Sequence, residues 1–281
     1  MSDQYNEIIK IIRKQKYYIY GAGKVSDRFY RFLEAKQLLN NFSGFVVTTK
    51  NKESHMGEKL YTVYNLESNP WVLVATDYTS FLEIQNTLHQ LELRHFIWIY
   101  PYLYDFFLGV PIKRNVSMNI ASILKKNFMA NWISVCYIAL QDYKLGKEEG
   151  KKIYLKVAEI FFKSDVAKKD YCRFVDSAKK MEQEGYSQEY PIKINSDEKL
   201  LLDGAHRIAL AIYFKQKNIV ADLYNCSLRD YRDCYGVNKE SGILVTYSED
   251  SYLAKQLDEK EMAYIKETIK QMISLSEEID V

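Results

Sequence analysis

Residues 16–36, KYYIYGAGKVSDRFYRFLEAK, put a short β-rich run, a glycine turn and an amphipathic helix in direct succession, with Val25, Phe29, Phe32 and Leu33 at helical spacing. A strand that hands over to a helix in this way belongs in a sheet with helices on its faces. Three further short buried runs follow, SGFVVTT (43–49), WVLVAT (71–76) and HFIWIY (95–100), with the helical pattern YTSFLEIQNTLHQLEL (78–93) among them. The alternation predicts an α/β domain with a parallel sheet over residues 1–115.

Gly21 and Gly23 stand where a Rossmann-type turn brings backbone N–H groups and a helix N-terminus to a phosphate. The third glycine of that pattern is replaced by Ser26, and the next strand ends in Thr48 and Thr49 rather than in an acidic residue for an adenosine ribose, which disfavours NAD. Either the two glycines hold a nucleotide phosphate, or they only permit a tight strand-to-helix turn. His55, His89 and His95 lack ligand spacing and read as surface or packing residues. The stretch YIYGAG (18–23) resembles the small domains at the front of bacterial polysaccharide-biosynthesis proteins, which implies a nucleotide or sugar-nucleotide ligand.

From 116 to 165 the pattern turns helical: MNIASILKKNFMANWISVCYIALQDYKL, a charged break GKEEGKK read as a solvated loop, then IYLKVAEIFF. Two helices linking two domains are expected, their aromatic and methionine residues forming core. In the remaining segment, 166–281, Ala167, Tyr171, Phe174, Val175, Ala178 and Met181 line one helix face, and Gly185 ends that helix. YPIKIN, a turn at SDEK and the run LLL then predict two strands.

The stretch LLLDGAHRIALAIYF (200–214) concentrates Asp203, His206 and Arg207 at the front of an otherwise apolar helix. Asp203 is expected as the N-cap, with the helix running from Gly204 to Phe214. Free N–H groups and the positive helix end attract anions there, so Gly204, Ala205, His206 and Arg207 form a phosphate-sized site. Arginine offers a bidentate donor fork, and histidine can move a proton near neutral pH. Asp203 could hold Mg2+ or orient a hydroxyl. Alternatively Asp203 only caps, and internal carboxylates satisfy His206 and Arg207.

Residues 173–224 resemble the ParB/sulfiredoxin superfamily, through a helix ending in glycine, a strand opening with proline, a hairpin and a DGxHR helix start. The resemblance implies an α+β domain that binds nucleotide phosphates at that start. Ala205 stands where sulfiredoxins carry cysteine, and no basic recognition helix follows, which argues against redox chemistry and DNA binding. The free-serine-kinase branch matches best and implies Asp203 and His206 as the catalytic pair, with ATP or another nucleotide and Mg2+ as cofactors. Those kinases carry an upstream glutamate, where this chain offers Asp165 or Asp170. Arg173 beside them is either a phosphate or substrate contact or a surface arginine.

Composition narrows the classes further. Thirty-nine basic and 37 acidic residues leave a net charge of +2, too balanced for a dedicated nucleic-acid binder. Cys136, Cys172, Cys226 and Cys234 are scattered without a CxxC pair, which indicates neither a zinc site nor a disulfide framework and fits a reducing cytoplasm. No apolar run is long enough to span a bilayer, and the N-terminus lacks the pattern of a signal peptide. The expectation is a cytoplasmic, nucleotide-dependent phosphotransferase acting on a small hydroxylated molecule in surface-polysaccharide synthesis. The alternative is a non-catalytic nucleotide or nucleotide-sugar module whose aromatic stretch, Phe96 to Phe107, docks a partner enzyme; a protein partner or homo-oligomer fits either.

Overall fold

The structure, a computed structural model, describes residues 2–66, 69–76, 78–126, 130–159, 164–188, 190–196, 201–225 and 257–278. The chain is mixed α/β and divides into two units, Met1–Val110 and Pro111–Val281.

The first unit runs α1 (Ser2–Lys14), β1 (Tyr17–Tyr20), α2 (Lys24–Ala35), β2 (Phe42–Val47), β3 (Ser54–His55), β4 (Glu58–Thr62), β5 (Trp71–Val74), α3 (Tyr78–Gln90), β6 (Phe96–Trp98) and α4 (Leu103–Leu108). Its sheet has the order β3-β4-β2-β1-β5-β6. The pairs β4-β2, β2-β1, β1-β5 and β5-β6 are parallel, and β3 turns back on β4. Period-two alternation sorts the strand side chains. Tyr17, Ile19, Phe45 and Leu73 face Ile8, Ile12, Phe29, Leu33 and Phe106, whereas Tyr20, Val46, Val72 and Val74 face Ile84 and Leu88. The sheet therefore carries helices on both faces. α1 and the β3-β4 hairpin lie outside the elements expected from sequence. The aromatic stretch 96–107 is only partly available for docking, because Ile99, Leu103, Tyr104 and Phe106 are buried.

The second unit runs β7 (Lys113–Asn119), α5 (Ile120–Lys126), α6 (Ala130–Lys144), α7 (Glu149–Glu159), α8 (Ser164–Glu184), β8 (Ile192–Asn195), β9 (Leu201–Asp203), α9 (Ala205–Tyr213), β10 (Asn218–Tyr224) and α10 (Glu259–Glu278). The sheet order is β7-β10-β8-β9, with β10-β8 parallel and the outer pairs antiparallel. Ile133 to Leu140 of α6 are buried on every side, as an all-round apolar helix must be. One apolar core joins residues of α5, α6 and α7 to α8, α9, β8 and α10.

Three expectations change here. The boundary expected at residue 115 falls inside β7, and the segment 116–165 shares its core with the rest of the unit. In place of two helices the structure has the end of a strand and then α5, α6 and α7; Lys113–Asn119 pairs with β10, and its only apolar residues are Val116 and Met118. The break GKEEGKK is not wholly loop: α7 starts within it, and a Cβ on Gly150 would meet the Ile138 carbonyl oxygen at 2.7 Å, so α7 crosses close to α6. α8 and its Gly185 stop, at φ 89°, follow the expected pattern. Residues 197–199 of the SDEK turn and residues 226–256, with Cys226 and Cys234, lie outside the described residues.

Candidate functional site

Asp203 is the last residue of β9, opposite Lys193 of β8, and is not the helix cap. Gly204 takes that position with φ 117° and ψ 23°, and the helix proper begins at Ala205. Only glycine fits, because a Cβ here would lie 2.5 Å from Ile192 Cγ2 and the backbone is left-handed. This sharp reversal carries the chain from strand to buried helix within one residue. It also sets His206 and Arg207 in the first turn, where the N–H groups have no intrahelical partner.

Arg207 is engaged within the protein. Its Nη2 donates to Asp203 Oδ2 at 2.7 Å, and its Nη1 donates to the Pro191 and Tyr190 carbonyl oxygens at 2.6 and 3.1 Å. The guanidinium thus ties the helix start to the strand before it. Asp203 stays 43% exposed, and among the described residues its Oδ1 has no hydrogen-bond partner.

His206 faces a different set of groups. Its Nε2 lies 2.8 Å from the Tyr154 hydroxyl, and the same hydroxyl donates to Asp170 Oδ2 at 2.8 Å. Asp170 Oδ2 is itself 3.8 Å from Nε2, and Asp170 Oδ1 accepts from Arg173 Nη2. The imidazole sits among aromatic rings, 4.5 Å from Phe174, 5.8 Å from Tyr154 and 5.9 Å from Trp132 between centroids. Desolvation there pushes its pKa below the ordinary value, against the opposing pull of Asp170. The side chain nevertheless keeps 29% of its surface open. Neutral imidazole beside a carboxylate and open on one side is suited to accept a proton.

Of the two upstream acids weighed from sequence, α8 presents Asp170 to His206, whereas Asp165 is exposed in the first turn of the same helix. Arg173 is 38% exposed and bonded to Asp170. Tyr154 and Trp132 come from α7 and α6, and their patterns read only as core. In the first unit, Gly21 N–H donates to the Val46 carbonyl oxygen and Gly23 N–H to Ser26 Oγ. Gly21 has φ 127°, and a Cβ on it would meet the Ala75 oxygen at 2.9 Å, so the tight-turn requirement is real. His55, 8% exposed, bonds Asp27 and Lys52, while His95 stacks on Trp71.

A divalent ion would find one partly exposed carboxylate, Asp203. No group of three or more His, Cys, Asp or Glu side chains suited to a metal occurs among the described residues. A single carboxylate would leave most of a Mg2+ ion's ligands to be supplied by phosphate oxygens and water. No helix among the described residues is long and apolar enough to cross a membrane. No family model matches the chain, and neither a curated protein nor a solved structure matches it.

Proposed function

We propose that the second unit is a ParB/sulfiredoxin-like domain carrying a nucleotide-dependent phosphotransferase site for a small hydroxylated substrate, and that the first is a Rossmann-like nucleotide or sugar-nucleotide domain. One observation carries the reading: His206, in the first turn of α9, has Tyr154 and Asp170 behind Nε2 while Nδ1 has no partner among the described residues. The backbone N–H groups of Ala205, His206 and Arg207 would receive phosphate oxygens. Asp203 would take a Mg2+ ion, whose chemistry when bound is to neutralise phosphate charge. His206 removes the hydroxyl proton of the acceptor as its oxygen bonds the terminal phosphorus. The bond to the bridging oxygen breaks, and the nucleoside diphosphate leaves with that electron pair.

The helices on both sheet faces and the parallel order about β1 and β5 support the Rossmann-like reading of the first unit. Since the Gly21 and Gly23 N–H groups are already bonded, phosphate there would rely on other donors of the turn. A sugar or polyol acceptor, the surface-polysaccharide setting and a cytoplasmic location follow from the resemblances noted above. The free Cys136 and Cys172 accord with such a location.

Isothermal titration with ATP, ADP and CTP, with and without Mg2+, tests the proposal when followed by transfer assays on sugars, polyols and amino acids. Mg2+-dependent binding with transfer lost in Asp203→Asn supports it. A second reading, the non-catalytic module, is favoured by the engagement of Arg207 with Asp203 and two carbonyls. Binding without turnover, unaffected by Asp203→Asn, would establish that reading. Absence of binding to any of these nucleotides would remove the phosphotransferase reading.

A further inference from the structure

We propose that Tyr154 is a positioning residue that holds the His206 ring in its Nε2–H tautomer and thereby makes Nδ1 the atom that meets the acceptor hydroxyl. This rests on the phosphotransferase reading of the site. A proton count decides the tautomer. A phenol carries one hydrogen, a carboxylate none and a neutral imidazole one. Tyr154 Oη lies 2.8 Å from both Asp170 Oδ2 and His206 Nε2. Asp170 has nothing to donate, so the phenol hydrogen points to it. Oη can then only accept from the ring, and Nε2 must hold the ring hydrogen.

The surroundings keep this order in one direction. Burial pushes the Tyr154 phenol far above its ordinary pKa, so the hydrogen stays on Oη across the working pH range. Arg173 Nη2 occupies the other oxygen of Asp170, which orients the carboxylate toward Tyr154. Phe174 at 4.5 Å and Trp132 at 5.9 Å flank the imidazole and restrict its rotation. The lone pair therefore resides on Nδ1, which selects a proton donor, a neutral hydroxyl, as its partner. When Nδ1 takes that proton, the imidazolium charge develops 3.8 Å from Asp170, with Tyr154 bridging the two.

None of this is contained in the DGxHR spacing, because Tyr154 lies 52 residues before His206 and on another helix. It also gives Asp170 a role distinct from metal binding: it sets the direction of the hydrogen-bond chain.

Nitrogen NMR of the full-length chain, labelled with 15N in its four histidine rings, reads the tautomer directly. The His206 signals are identified by their loss in His206→Gln. Well above the ordinary histidine pKa, wild type should show protonated Nε2 and bare Nδ1. Asp170→Asn should invert the pattern. The amide keeps its oxygen toward Arg173 and turns its NH2 to Tyr154, so the phenol donates to Nε2 and the hydrogen moves to Nδ1, the wrong-tautomer effect known for such substitutions. Tyr154→Phe, shown to be folded by circular dichroism, should yield a mixture of tautomers. An Nδ1–H ring in wild type, which needs no variant, would overturn the proposal, as would an unchanged tautomer in folded Tyr154→Phe. Because no nucleotide enters this measurement, its failure is separate from failure of the transfer assays.

Discussion

Gly204 joins β9 to α9 at φ 117°, with Ile192 directly against the position a Cβ would fill. Alanine there meets both a left-handed backbone and a clash. Gly204→Ala is expected to lower stability by about 1–3 kcal/mol from the backbone alone, with the Ile192 contact adding to it. Urea unfolding followed by circular dichroism measures this, and an unchanged midpoint would contradict it. His206 gives a pH signature. Its folded pKa is lowered from 6.5 by burial, so between the two values the unfolded chain binds more protons than the folded one. Stability therefore rises with pH across that window and is lost as pH falls through it. Urea midpoints measured from pH 7.5 down to 5 should decline more steeply in wild type than in His206→Gln; equal slopes would contradict the assignment.

Elements differ in how openly the sequence announces them. α8 shows its apolar stripe and glycine stop, β8 shows alternation and β9 a short apolar run, because each reflects a local period or a local breaker. β7 does not. All of Lys113–Asn119 except Val116 and Met118 are polar, and what makes them a strand is pairing with β10 about a hundred residues later. The site divides the same way. Asp203, His206 and Arg207 are legible because one helix start gathers them, whereas Tyr154 and Trp132 are delivered by tertiary packing of helices whose patterns signal only burial. Asp203 is a residue type that often caps helices, but the left-handed turn after it can be built only by Gly204, which takes the cap position. A charged pair also binds the strands. Asp222 of β10 is 1% exposed, accepts from Lys193 of β8 at 2.7 Å and from the Asn115 N–H at 3.0 Å, and lies near Arg114 of β7. Asp222→Ala leaves a nearly buried ammonium without its anion and should cost about 3–5 kcal/mol. A loss under 1 kcal/mol in equilibrium unfolding would show that Lys193 finds water instead.

At the scale of the molecule, the apolar core of the second unit is built, among the described residues, from that unit's own side chains. Residues 111–281 expressed alone are thus expected to fold and to give the same His206 tautomer as the full chain, which nitrogen NMR of the fragment checks; a collapsed or different histidine spectrum would show that the first unit is needed to build the site. The proposed phosphotransferase reading requires a proton to leave an acceptor hydroxyl for His206 while phosphate rests at the start of α9. The most direct test is phosphoryl transfer from Mg2+-nucleotide to the acceptor panel by wild type and His206→Gln, with nucleotide affinity measured alongside. Loss of a general base should reduce transfer by roughly 10²–10⁴-fold while affinity is retained. Transfer that survives His206→Gln intact, or a wild-type chain that transfers phosphate to none of the acceptors, would contradict it.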